Sequence, residues 1–319
     1  MEKKIIYYSD ELNDDFAENN EKLKPVKIDE NYKYIHKNIF WNIIAIILYR
    51  VIFSIPVYIH AKIKYKFTII NKEVLKKEKK NGYFIYGNHT NEFLDPFFPT
   101  FITFPKRSYV ISNADNVSIP GLKIAIRMLG ALPIPDNIKA SKNFFEAIKH
   151  YINKSNVIAI YPEAHVWPYY TKIRNYKSVS FKYPVELNKP VYSFTTTYQR
   201  IEKNEKIEND RTKSATTKKE RTQFDIIENE KIKIVTYVDG PFYPDETLNK
   251  KQAQEKLRDE VYEAMNNRSK NNNIEIIKYV KRGTKWLIWC TVEMIKCLME
   301  YWFHFYQLRN ILKSHLMFF

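Results

Sequence analysis

The sequence predicts an α/β fold: a mixed, largely parallel sheet flanked by helices. Three observations predict it. Short β-branched and aromatic runs recur between residues 66 and 270: "YFIY" (83–86), "SYVIS" (108–112), "ALPI" (131–134), "VIAIY" (157–161), "VYSFTTTY" (191–198) and "IKIVTYV" (232–238). Most are separated by segments of helical period, such as "GLKIAIRML" (121–129) and "SKNFFEAIKHYI" (141–152). Strands that alternate with helices build a parallel sheet covered on both faces. Finally, 319 residues without an internal repeat suffice for one large α/β domain or two small ones.

Taken in chain order, residues 1–35 are polar and charge-mixed and are expected to form a loosely ordered arm. The start, "MEKKIIYYSDELNDDF", has no apolar core of the kind a signal peptide needs. Residues 36–65 are expected to be helical and membrane-associated. Their centre, "IFWNIIAIILYRVIFSIPVYI" (39–59), is the most apolar stretch and is long enough to span a bilayer. Arg50 near its middle costs about 2.5–3.5 kcal/mol on insertion scales. Lys33 and Lys37 precede it, and Lys62, Lys64 and Lys66 follow it. A spanning helix favours basic residues on one side only, so equal basic flanks fit a segment that enters and leaves on one face.

Residues 66–270 hold the α/β pattern. In 141–152, Phe144, Phe145, Ile148, Tyr151 and Ile152 share one helix face. Residues 200–221, almost devoid of apolar side chains, read as a charged insertion between two strands. A closing helix over 248–269 aligns Leu257, Val261 and Met265. Residues 271–319 differ again. From 284 onward Trp, Phe and Tyr are dense, and Lys285, Glu293, Lys296 and Glu300 interrupt them too often for a span. An amphipathic helix is expected there, lying on a membrane, on a partner or on the protein's own first helix.

Composition narrows the function. The 52 Lys and Arg against 36 Asp and Glu leave a net charge of +16, which points to an anionic partner. The aromatic residues lie mostly in apolar runs and are not interleaved with Lys and Arg, which argues against nucleic acid. Six glycines and no GxGxxG or GxxxxGK[ST] argue against a glycine-rich phosphate loop. Cys290 and Cys297 are too few for a disulfide scaffold and have no metal-ligand spacing, so they are expected as free thiols in a reducing compartment.

Chemistry is concentrated at two strand ends. In "YGNHTNEFLDP" (86–96), His89 directly follows the apolar run 83–86, and Asp95 comes six positions later. A carboxylate that accepts from one ring nitrogen fixes the tautomer and leaves the other nitrogen basic, able to activate a hydroxyl or water. Glu92 competes for that role. In "VIAIYPEAHVWP" (157–168), another strand runs into Pro162 and Glu163. Ligands of open α/β sheets bind beyond the carboxyl ends of strands, so both ends are expected to serve one crevice.

Four blocks in this order, "NHTNEFLD", "GALPIP", "YPEA" and "KPVYSF", resemble the glycerolipid acyltransferase family, which includes the 1-acylglycerol-3-phosphate acyltransferases. The resemblance spans roughly residues 60–265. It implies a glycerolipid acyltransferase-like fold, with His89 as general base and Asp95 as its orienter. It further implies substrate contacts from Asn88, Gly130, Pro162 and Glu163. The acceptor would be a lysophospholipid and the donor acyl-CoA or acyl carrier protein, with no metal and no cofactor; the basic charge and the equal basic flanks of 39–59 add the expectation of an anionic membrane surface on the cytoplasmic face. Three departures stand out. Five residues separate His89 from Asp95 where the family usually has four, and Ala164 stands where Gly is common. Asp136 lies where an acceptor-phosphate Arg is often found, so Lys172 and Arg174 become the candidate phosphate cations. Rival readings are a degenerate membrane-binding homologue and a hydrolase that uses the same pair on water.

Overall fold

The computed structural model describes residues 4–17, 25–201 and 232–283. Most of the expected charged insertion, the two cysteines and the aromatic tail from 284 lie outside the described residues. Two compact units are present, one made of residues 1–11 and 278–319, the other of Leu12–Ile277. In the first unit, strand β1 (Lys4–Tyr8) pairs with β9 (Ile277–Lys281).

The larger unit is built on a seven-stranded sheet in the order β2-β8-β7-β3-β6-β4-β5. Its strands are β2 (Thr68–Ile70), β3 (Tyr83–Gly87), β4 (Ser108–Ser112), β5 (Ala131–Pro133), β6 (Val157–Ile160), β7 (Val191–Arg200) and β8 (Ile232–Phe242). Every neighbouring pair is parallel except β7 and β8. The sheet is therefore mixed and largely parallel, and all six apolar runs singled out in the sequence form strands of it. The three-residue β2 falls outside those runs, being too short to show a period.

Strand β3 sits between β6 and β7, and all five of its residues are buried. Burial on both faces explains its continuous apolar run. Phe84 and Tyr86 join Ile158 and Ile160 in a core closed by two helices, α5 (Ile138–Asn153) and α7 (Lys250–Ser269). Asn137 caps α5 by accepting from Ala140 N at 2.9 Å, and Asn249 caps α7 by accepting from Gln252 N at 3.0 Å. Helix α5 buries Phe144, Ala147, Ile148, Tyr151 and Ile152, and α7 buries Leu257, Val261 and Met265 at four-residue intervals. Each such large side chain contributes about 1.5–3 kcal/mol when fully buried.

Residues 39–65 form a helix long and apolar enough to cross a membrane. It comprises α1 (Ile39–Ile47), a π-helical stretch (Leu48–Ser54) and α2 (Ile55–Tyr65). Its buried side chains are Ala45, Tyr49, Ser54, Ala61 and Tyr65. The step of five from Tyr49 to Ser54 coincides with the π stretch, whose wider turn keeps the buried stripe on one side. Lys66 ends the helix at φ 44°, and Phe67 N donates to Ala61 O at 3.2 Å. Phe67, with the short helix α3 (Phe98–Thr103), builds a second aromatic cluster through Phe98 and Phe101.

The polar arm expected over residues 1–35 packs in part. Ile28 is fully buried, and its N–H donates to Asp136 Oδ2 at 2.7 Å, while Asp136 N donates back to Ile28 O at 3.1 Å. Asp136 thus holds the arm, which accounts for a carboxylate at that position.

Candidate active site

His89 lies immediately past the carboxyl end of β3. Asn88 fixes the exit: its Nδ2 donates to Thr196 O at 3.0 Å, and Thr196 N donates to its Oδ1 at 2.8 Å. Backbone groups hold the next two residues, with Trp167 N donating to His89 O at 3.1 Å and Tyr169 N to Thr90 O at 2.8 Å. Asn91 then turns the chain. Its side chain accepts from Leu94 N at 2.9 Å, and its carbonyl accepts from Asp95 N at 2.9 Å.

That turn returns Asp95 to the ring despite the five intervening residues. His89 Nδ1 and Asp95 Oδ2 are 2.6 Å apart, and Asn91 N donates to the same oxygen at 2.9 Å. Asp95 is fully buried and the His89 side chain is 19% exposed. Burial raises the Asp95 carboxyl above its ordinary value, while the His89 and Asn91 hydrogen bonds pull it down. With Asp95 accepting at Nδ1, the ring's Nε2 is left as the basic nitrogen. The ring stacks on Tyr161 at 4.5 Å, and the Tyr161 hydroxyl donates to Asp95 O. Tyr161 and Asn91 were not singled out from the sequence. Asn91 carries an Asx-turn signal, four residues before Asp95, that could have found it.

Several residues expected to contact substrate make hydrogen bonds or close approaches within the protein. Glu163 is buried, and its carboxylate is committed to protein donors: His89 N at 3.0 Å, Arg174 N at 3.0 Å and Arg174 Nη2 at 3.1 Å. Arg174 is fully buried as well, 4.8 Å over the Trp167 ring, and it also donates to His165 O. Arg174, a candidate phosphate cation in the sequence, is thus paired with Glu163, and the pair holds the backbone beneath His89. Lys172, two residues away, is exposed. Asn88 spends its amide on β7. Gly130 stands at the amino end of β5, three strands from β3, or about 14 Å at the ~4.8 Å strand spacing. It ends helix α4 (Lys123–Leu129) at φ 104°, and a Cβ there would meet Ser108 O at 2.9 Å. Its requirement for glycine is conformational. Pro162 is half-buried and leads from β6 into the turn where Ala164 adopts φ 66°. This left-handed conformation explains why Gly is common at that position in the family that the sequence resembles.

A buried carboxylate on one nitrogen of a partly exposed histidine, at a strand's carboxyl end, is an arrangement able to act as a general base. Residues 66–195, from just before β2 into β7, match the family described as Acyltransferase. Among solved structures it is similar to the 1-acyl-sn-glycerophosphate (LPA) acyltransferase PlsC from Thermotoga maritima. Identity is 17% and the TM-score 0.37, over 62% of this chain and 71% of that one. The comparison with curated proteins found no match.

Proposed function

We propose that this chain transfers a fatty acyl group from a thioester donor, acyl-CoA or acyl carrier protein, to the hydroxyl of a lysophospholipid such as 1-acylglycerol-3-phosphate. The observation that carries this reading is the 2.6 Å contact between His89 Nδ1 and buried Asp95. His89 Nε2 takes the acceptor's hydroxyl proton as the oxygen attacks the thioester carbonyl. The C–O bond forms, the C–S bond breaks, and the proton on Nε2 passes to the departing thiolate. Asp95 holds the tautomer and stabilises the imidazolium that forms in between. Protein side chains supply every step, so no cofactor is called for. The intact dyad favours this reading over a degenerate homologue, and an acceptor other than lysophosphatidate is the second reading, favoured by Asp136 being spent on Ile28.

Lys172 is the exposed cation nearest in sequence to the Glu163–Arg174 pair and the candidate for the acceptor phosphate. The apolar helix 39–65 would place the enzyme at the cytoplasmic face of a membrane, where both acyl substrates partition.

The test is acyl transfer by the purified chain from each donor to a panel of lysophospholipids. His89→Ala should abolish transfer, and Lys172→Ala should raise KM for a phosphorylated acceptor more than for the donor. Full activity of His89→Ala would remove the acyltransferase mechanism altogether.

A further inference from the structure

At the amino ends of β4 and β6, opposite the end that carries His89, lies a cavity of about 450 Å³. Its wall is cationic. Arg50 comes from the long helix, Lys106 and Arg107 from the turn before β4, and Lys154 from the end of α5. None of its described lining residues is acidic.

Several of the cations are held in place by neutral groups. Lys106 Nζ donates to Asn81 O at 2.7 Å and Ser155 O at 2.6 Å. Arg107 Nη2 donates to Met128 O at 2.6 Å, and its guanidinium lies 4.8 Å over the Tyr109 ring. Arg50 donates to Pro105 O and lies 5.0 Å over Phe104. Carbonyls and rings orient Arg50 and Arg107 without neutralising them, while Lys106 also feels the Glu78 carboxylate. Two buried nitrogens, Arg50 Nη1 and Arg107 Nε, have no partner among the described residues. Buried donors of this kind are ordinarily satisfied, so they add to the uncompensated positive charge behind the cavity wall. The field reaches further: burial first, then Lys154 and Lys37, hold His150 below its ordinary value.

The wall has an apolar side too. Ile46 lines the cavity, and the same helix exposes Ile43, Ile47 and Val51 to solvent. A ligand seated there meets converging cations on one side and an exposed aliphatic helix on the other. Guanidinium forks and ammonium groups are the donors that phosphate oxygens accept from most strongly.

We propose that this cavity is a second phosphate site, separate from the catalytic end, and that it takes the headgroup of an anionic phospholipid whose acyl chains lie along the exposed face of helix 39–65. The chemistry recognised is a phosphate anion, and the aliphatic wall assigns its source to lipid. The site stands apart from the proposed acyl transfer, because its readout is binding.

The test uses the full chain in detergent, titrated calorimetrically with dihexanoyl phosphatidylglycerol and, separately, with inorganic phosphate. Lys154→Gln is on the surface and leaves the core untouched, Arg107→Gln removes one of the unpartnered nitrogens, and Lys251→Gln on α7 is the equal-charge control. Lipid affinity should fall about tenfold for each cavity variant, the loss of one charge-assisted hydrogen bond, and less than about twofold for the control. Inorganic phosphate should bind at least about tenfold more weakly than the lipid, for want of the aliphatic contact. Equal effects of cavity and control variants would overturn the site. Phosphate binding as tight as the lipid's would overturn its assignment to a lipid.

Discussion

At the scale of residues, the Asp95 carboxylate does two things that pull in opposite directions. It orients His89, yet it is a fully buried acid whose ionised form is penalised by burial. Asp95→Asn separates the two. The amide can favour the wrong ring tautomer and cannot stabilise an imidazolium, so activity should fall about 10²–10⁴-fold. Stability should behave differently. A carboxyl raised on folding binds its proton more tightly in the native state, so the parent loses stability as pH rises from about 4 through the native value, then levels off. The asparagine variant lacks that loss. Its Tm relative to the parent should therefore climb over that window and stay level above it. A Tm difference that shrinks with rising pH would mean that the ionised carboxylate stabilises the fold. Glu92→Gln is the activity control: the ring meets Asp95, so removing the Glu92 charge should be nearly silent.

The elements show how much of this was legible in the sequence, and why the rest was not. Strands β3 to β8 were legible because their apolar runs are bounded by turns, and α5 and α7 because their apolar faces keep a helical period. The contact between His89 and Asp95 was legible by chemistry and position. The protein partners of Glu163, Arg174 and Asn88 were not, because a charged or polar residue in a motif gives no sign of whether it also meets the protein's own backbone. Arg174 sits in a stretch rich in Lys and Tyr that reads as a solvated loop, yet Ile173 and Tyr176 are buried beside it. The segment from Tyr161 to Lys177 is a scaffold held by the Glu163–Arg174 pair together with backbone hydrogen bonds to His89 and Thr90. Breaking a buried pair from one side leaves an uncompensated charge and costs about 3–5 kcal/mol. Glu163→Gln should lower stability by that order in denaturant unfolding. Glu163→Gln combined with Arg174→Met should recover part of the loss, since neither charge is then stranded. If Glu163 instead contacted only substrate, Glu163→Gln would raise KM and leave the unfolding midpoint unchanged.

For the whole molecule, the question is how a helix of 27 residues, long and apolar enough to cross a membrane, would meet one. At 1.5 Å per residue it is about 40 Å long, enough to cross a hydrocarbon core of about 30 Å. Its packing opposes crossing. Tyr49 OH accepts from Ser108 N at 3.0 Å and from Thr100 Oγ1 at 2.8 Å, Tyr58 meets Phe101 at 5.2 Å, and His60 meets Phe93 at 5.9 Å. Both halves of the helix are thus fastened along the body, and a spanning orientation would either break these contacts or carry the charged body into lipid. The outer face is free of that constraint: Ile43, Ile47, Val51, Ile55 and Ile59 are each about half exposed. This geometry fits a helix lying in the interface, its outer face in the acyl boundary, with a +16 chain drawn to anionic headgroups. Removing residues 1–60 would test this poorly, because Ile28 and Tyr49 belong to the core. Ile47→Glu together with Ile55→Glu is the cleaner change: it should move the protein to the soluble fraction while leaving Tm within a few degrees. The unaltered protein should be released from membranes by alkaline carbonate, which strips interfacial proteins and spares spanning ones. Retention in the carbonate pellet, with the Glu variants still membrane-bound, would show that the helix leaves the body and spans.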